Sequence, residues 1–211
     1  GGNNSWPTGA VAVYDKRSYS DGIDSITVSH GEIHNSSYNG VYVYGNDGTA
    51  DYGQVYVSMG NLWVHDNNNT GFEISQNHWT DITLDSLNIH DGSSHGMYLG
   101  YNYDYTEISV DSARIADNAN DGLYCYRLVD GATLDVENAD IHDNGGSEVG
   151  FGYLDVGSGS EISVTNSTLY DDDGGWVVYA AHCCYPEMAG YNTDFRQNDW
   201  GATVTAEMNS G

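Results

Sequence analysis

Apolar residues recur at every second position in short runs along this chain, and the runs themselves recur at a nearly constant distance. The clearest marker is a branched or aromatic apolar residue, then often His, then Asp or Asn. Its copies are Ile33-His34-Asn35, Val64-His65-Asp66, Ile89-His90-Asp91, Ile115-Ala116-Asp117, Ile141-His142-Asp143, Leu169-Tyr170-Asp171 and the weaker Phe195-Arg196-Gln197. Successive copies lie 31, 25, 26, 26, 28 and 26 residues apart. Seven residues before most of them stands an alternating run: Ile26-Thr27-Val28, Ile82-Thr83-Leu84, Ile108-Ser109-Val110, Leu134-Asp135-Val136 and Ile162-Ser163-Val164. Val55-Tyr56-Val57 reads as the same element with two extra residues. After the marker come Gly and a third run, as in Gly40-Val41-Tyr42-Val43, Gly71-Phe72-Glu73-Ile74, Gly96-Met97-Tyr98-Leu99 and Gly122-Leu123-Tyr124-Cys125. The fifth copy reads as stretched, with Gly150-Phe151 displaced by Gly145-Gly146-Ser147-Glu148.

Period-two alternation with Asn-, Asp- and Gly-rich corners, and no helical spacing of any length, predicts three short strands per repeat. One such repeat cannot bury its own apolar side. Stacking repeats about 4.8 Å apart lets each strand pair in parallel with its equivalents while alternate side chains fill the interior. The predicted fold is therefore all-β: a parallel β-helix of about seven rungs. It is expected to form one domain over residues 1–211, with repeats from about 9 to 205 and uncapped ends. Ile26, Val28, Ile33, Val41 and Val43 point inward in this register, and Thr27, His34 and Tyr42 outward. A propeller blade needs about 40 residues and four antiparallel strands, and leucine-rich repeats need a tighter pattern containing a helix, so neither fits.

The rung of Ile-x-x-Asn/Asp followed by Gly-apolar-x-apolar resembles that of the right-handed parallel β-helix proteins typified by pectate lyases. The resemblance runs from about Gly9 to Thr205. It implies the fold directly, whereas the superfamily's functions range over polysaccharide lyases and hydrolases, phage tailspikes, adhesins and archaeal surface-layer proteins. This acidic, Tyr- and Asp-rich, lysine-poor version looks more like prokaryotic surface proteins and the subunits of cell sheaths than like the enzymes.

Charge narrows the range of partners. With 31 acidic residues against 5 basic ones the formal charge is −26, which repels phosphate backbones and anionic membranes, so nucleic acid is not an expected partner. Eighteen Tyr, 5 Trp and regularly spaced Val and Ile supply a core, so the acidity reads as solvated surface rather than disorder. The longest apolar run, Trp176 to Ala181, falls far short of the roughly 18 residues needed to span a bilayer. The start, Gly1-Gly2-Asn3-Asn4-Ser5, matches a chain left after leader removal, and the expected location is the cell exterior.

Several residue columns carry candidate chemistry. Asp66, Asp91, Asp117, Asp143 and Asp171 stack at one corner, where they are expected to cap backbone N–H groups or to take Ca²⁺ opportunistically. His34, His65 and His90 occupy the preceding column, yet residues of a flat ladder project in parallel, which disfavours a tetrahedral metal site. Arg114, one of five basic residues, reads as solvated or ion-paired rather than as a proton acceptor for glycan cleavage. Tyr42, Tyr98 and Tyr124 form an outward column interrupted by Glu73, suited to sugars or to a neighbouring subunit. Cys125 falls at an inward position, whereas Cys183 and Cys184 lie in a break of the repeat and are expected to form disulfides to another chain.

These features predict a non-catalytic subunit of an extracellular sheath, filament or surface layer. It is expected to assemble from copies of itself, head to tail and through lateral disulfides, and to meet cell-surface carbohydrate; no cofactor is expected beyond Ca²⁺. The alternative is a secreted polysaccharide-active enzyme or a carbohydrate-binding module on the same scaffold.

Overall fold

The computed structural model describes residues 9–14, 24–48, 54–151, 160–171, 176–180, 192–194, 199–200 and 206–208. Every named strand pair is parallel, and each strand pairs with its equivalents in the turns before and after. One sheet stacks Gly9–Tyr14, Asn39–Tyr44, Phe72–Ser75, Met97–Tyr103, Leu123–Leu128, Ser147–Phe151, Trp176–Ala180 and Ala206–Met208. This is the Gly-led run of each repeat, and we call it the first sheet.

The second sheet holds the other two runs of each repeat. In the first three layers they merge into single bent strands of 11 residues, Asp24–His34, Val55–His65 and Thr80–His90. In later layers they separate into pairs such as Glu107–Asp111 with Arg114–Ala116, and Thr133–Glu137 with Asp140–His142. The bend sits at one left-handed residue per layer: His30, Asn61, Ser86, Ser112, Asn138 and Asn166, with φ between 51° and 58°. Such a residue turns the strand without breaking the ladder, so the predicted gap between the two runs is a corner rather than a loop. Seven layers of this sheet, from Asp24–His34 to Asn192–Asp194 with Asp199–Trp200, are joined by six turns of the coil.

Two register expectations need correction. Ile26 pairs with Val57 and Val28 with Met59, so Val57-Ser58-Met59 is the second copy of that run and there are no extra residues. The spacing of seven to Val64 then holds as elsewhere. The fifth Gly-led run is likewise not stretched: Leu123, Tyr124 and Cys125 pair with Val149, Gly150 and Phe151, which puts Glu148 where the four preceding layers carry Gly40, Gly71, Gly96 and Gly122.

The core follows from alternation. Val41, Val43, Val57, Ile74, Ile89, Leu99, Ile115, Cys125 and Ile141 are buried in one continuous cluster, with Ile33 beside them and Ile26 and Val28 packed at its margin. Polar ladders fill the corners. Asn46, Asn77 and Asn102 are buried, and each amide donates to the next at 2.9 Å. At the opposite corner Asn67, Asn118 and Asn144 accept the backbone N–H of Ser36, Gly92 and Asn118 at 3.0–3.1 Å. Buried amides paired in this way satisfy corner groups that no strand can reach.

Glu148 ends the second of these ladders. Its Oε1 accepts the Asn144 N–H at 3.2 Å, the bond that an asparagine makes one layer earlier. A Cβ at Gly71 would approach Ile89 Cγ2 to 2.5 Å, and one at Gly122 would approach Ile141 Cγ2 to 2.7 Å. The layer that follows Glu148 has Leu169, paired with Ile141 in register, and leucine has no γ-methyl on a branched Cβ. Loss of that branch leaves room for the glutamate stem. The expected absence of end caps concerns residues 1–8 and 209–211, outside the described residues.

Candidate functional site

The outer wall of the first sheet gathers most of the aromatic side chains. Register places Tyr42, Glu73, Tyr98 and Tyr124 in one column, as the alternation predicts, and continues it through Gly150 and Tyr179. Tyr42 faces outward but is only 4% exposed, with its ring stacked on Tyr44 at 5.2 Å, so an outward position is not a solvated one here. Burial pushes its hydroxyl well above the ordinary tyrosine range. Tyr98 and Tyr124 are half-buried, stack with centroids 5.8 Å apart and planes 13° apart, and are likewise raised by burial.

A second column stands beside this one and was not singled out from the sequence. The carbonyls of Thr70, His95, Asp121 and Ser147 accept in turn from Gly40, Gly71, Gly96 and Gly122, so these four residues are equivalent. His95 lies between the tyrosines, 5.6 Å from the Tyr98 ring and 5.1 Å from that of Tyr124. Its Nδ1 is 3.1 Å from Asp121 Oδ2, a close polar contact that falls short of an aligned hydrogen bond. Asp121 Oδ1 accepts from the Ser147 N–H at 2.7 Å and from its Oγ at 2.5 Å. Burial pushes this carboxyl up, but His95 and the two Ser147 donors outweigh it and hold Asp121 below the ordinary carboxylate range. Because Ser147 Oγ is bound to Asp121, the three do not form a nucleophilic triad, in which serine must face histidine.

Glu73 lies between Tyr42 and Tyr98 and accepts from Asn39 Nδ2 at 2.5 Å, with burial raising its carboxyl. Two glycines keep the wall open. A Cβ at Gly150 would lie 2.8 Å from Tyr124 Cδ2, and one at Gly100 would overlap Ser75. Beyond Gly100 the same strands carry Tyr101, Tyr103 and Tyr126. Tyr101 and Tyr126 meet edge to face at 5.0 Å with hydroxyls 3.4 Å apart, and Arg127 sits 5.4 Å over the Tyr101 ring. The hydrogen bond with Tyr126, with the Arg127 charge assisting, lowers the Tyr101 hydroxyl. From Tyr98 to Tyr101 is three residues, or roughly 10 Å of strand.

The other candidate columns lie on the second sheet or at its corner. Asn35, Asp66, Asp91, Asp117 and Asp143 all adopt left-handed φ of 51–56°, which explains why only Asn or Asp stands there. The carboxylates of Asp66, Asp91 and Asp143 accept from the rings of His65, His90 and His142 at 2.7–2.9 Å. The backbone N–H groups of this corner are instead bound by the asparagine ladder one residue further on. Asp117 lies 3.7 Å from Arg114, which also donates to Asn88, and Asp171 is buried.

His34, His65 and His90 stack with centroids 5.3 and 5.0 Å apart and planes within 7°. Their nitrogens are therefore aligned rather than convergent, and among the described residues no three His, Cys, Asp or Glu gather to hold a metal ion. Ile89 and Ile141 are fully buried, as predicted, while His90 and His142 stand on the outer face, His142 covered by Tyr170 at 4.8 Å. Cys125 is buried, which pushes its thiol up to about 12. Cys183 and Cys184 lie outside the described residues.

The crystal structure of pectate lyase Pel9A superposes with a TM-score of 0.48 at 15% identity, covering 95% of this chain and 66% of that one. The Azotobacter vinelandii mannuronan C-5 epimerase AlgE4 A-module superposes with a TM-score of 0.41 at 18% identity, covering 90% and 58%. The chain thus spans two thirds or less of either protein. No curated protein matches it in sequence. The family described as the right handed beta helix region matches over residues 13–199, and with its parallel ladders and buried asparagine corners the chain belongs to that family.

Proposed function

We propose that this chain is an extracellular surface solenoid that holds a glycan against the outer wall of its first sheet. The observation that carries the reading is the Tyr98, His95 and Tyr124 stack, bordered by Glu73 and Asp121. Sugars present apolar C–H faces and hydroxyl edges, and amphipathic aromatic rings beside fixed carboxylate acceptors offer a partner to each. A rigid ladder holds these groups in place before binding, which lowers the ordering cost of association. Screening an oligosaccharide array with the chain and with Tyr98→Ala and Tyr124→Ala tests this. Binding that weakens at least tenfold in both variants, with unchanged circular dichroism, is expected; binding that survives both sinks the proposal.

One observation favours a second, catalytic reading on the same wall. An imidazole beside a carboxylate held below its ordinary range is able to transfer protons, as glycan cleavage requires. If the wall is catalytic, incubation with polysaccharides yields new reducing or unsaturated ends and His95→Ala abolishes them. If it only binds, no ends appear and His95→Ala changes affinity alone.

A further inference from the structure

Resting on the glycan reading above, we propose that the ligand of the Tyr98 wall carries ammonium groups: an amino-sugar polymer rather than a uronate or a fully neutral chain. The charges on the wall point this way. Glu73 interrupts the tyrosine column between Tyr42 and Tyr98, and Asp121 borders Tyr124 on the other side. Two carboxylates therefore face a pair of stacked rings whose π faces are themselves negative.

A cation placed over such rings is attracted by the ring quadrupole and by both carboxylates, and the attraction grows as water is excluded. A uronate brought to the same place meets both carboxylates within a chain of net charge −26, and the basic group beside the rings, His95, is already turned to Asp121. The basic residues do not reverse this. Arg114 belongs to the second sheet, paired with Asp117, and Arg127 is drawn over Tyr101 at the far end of the platform. Lys16, Arg17 and Arg196 lie outside the described residues.

Glu73 is placed to meet such a cation. Its carboxyl accepts from Asn39 and is raised by burial. An ammonium group seated between Tyr98 and Glu73 pairs with that carboxylate and favours its ionised form. Roughly 10 Å of aromatic strand, from Tyr98 to Tyr101, favours an extended sugar chain over a single amine.

The test is calorimetric titration at pH 6 and low ionic strength with four probes: glucosamine hexamer, N-acetylglucosamine hexamer, galacturonate hexamer and lysine hexapeptide. The glucosamine hexamer is expected to bind at least tenfold tighter than each of the others. Glu73→Gln and Tyr98→Ala are each expected to cost tenfold or more, and Glu161→Gln on the second sheet to cost less than twofold. Equal or tighter binding of the acetylated or uronate hexamer overturns the ammonium inference and leaves the glycan reading standing. Equal binding of the lysine peptide, or an equal loss in Glu161→Gln, shows attraction by overall charge alone and also overturns it. Failure of all three sugars overturns both readings.

Discussion

Glu148 has the strongest residue-scale consequence. Buried with its carboxylate on Asn144, and pushed up by desolvation to about 8, it is neutral in the folded chain at pH values where an exposed glutamate is ionised. A carboxyl raised on folding contributes stability that is fully present below its unfolded value of about 4.3 and is lost as pH rises toward its folded value. The melting temperature of Glu148→Gln relative to the unaltered chain is therefore expected to climb between pH 5 and pH 8, and a flat difference refutes the burial account. His65 has the same sign by a different route. The hydrogen bond to Asp66, and then that to Glu32, raise its imidazole, because carboxylates at both ring nitrogens favour the cation. Its contribution is present below about pH 6.5 and is lost as pH rises through its folded value. Proton NMR of the ring is expected to give a midpoint above that of a free histidine, and Glu32→Gln to lower it.

At the scale of elements, the Gly-led strand and the apolar marker of the next layer are one packing unit. Glycine at positions 71, 96 and 122 precedes a β-branched Ile89, Ile115 or Ile141, whereas Glu148 precedes Leu169. Leu169→Ile is accordingly expected to destabilise the chain by about 1–3 kcal/mol, as overpacking does, and to cost much less in a Glu148→Gly background. A double-mutant cycle by urea unfolding measures the coupling, and additive costs contradict the pairing. This unit was half legible in the sequence. The recurrence of Gly seven residues after the marker was plain, but its departure at Glu148 read as an insertion because Gly145, Gly146 and Gly150 drew the alignment away. Hydrogen-bonded register settles it, since pairing counts residues along the partner strand and not glycines.

For the whole molecule, the assembly predicted from the sequence stands as a proposal. Among the described residues Gly9–Tyr14 pairs with Asn39–Tyr44, and Ala206–Met208 with Trp176–Ala180, and in this proposal the other edge of each takes a strand of a second copy. Sedimentation velocity is expected to show species that grow with concentration, and non-reducing gels to show multimers lost in a Cys183→Ser, Cys184→Ser double variant. A monomer at high concentration removes head-to-tail stacking, and monomer-only gels remove the cross-link. Both outcomes leave the glycan wall untouched, because Tyr98, Tyr124 and Glu73 belong to layers inside the stack.

Sequence alone determined the parallel ladders, the inward columns and the aromatic character of one wall. These are consequences of a period of two repeated at a near-constant interval, and repetition forces equivalent residues into register. Tertiary structure alone decided what neighbouring columns do to one another. His95, Asp121 and Ser147 follow the same interval, but each is a different residue type, so nothing in the pattern joined them until the coil set them on successive layers. The corner aspartates read as caps because aspartate caps turns; the carboxylates of Asp66, Asp91 and Asp143 meet histidine rings, and Asn67, Asn118 and Asn144, each one residue past a corner aspartate, accept from corner N–H groups. Which of two adjacent polar residues turns inward depends on the left-handed φ at Asp66, Asp117 and Asp143, a backbone choice expressed only once the layers are stacked.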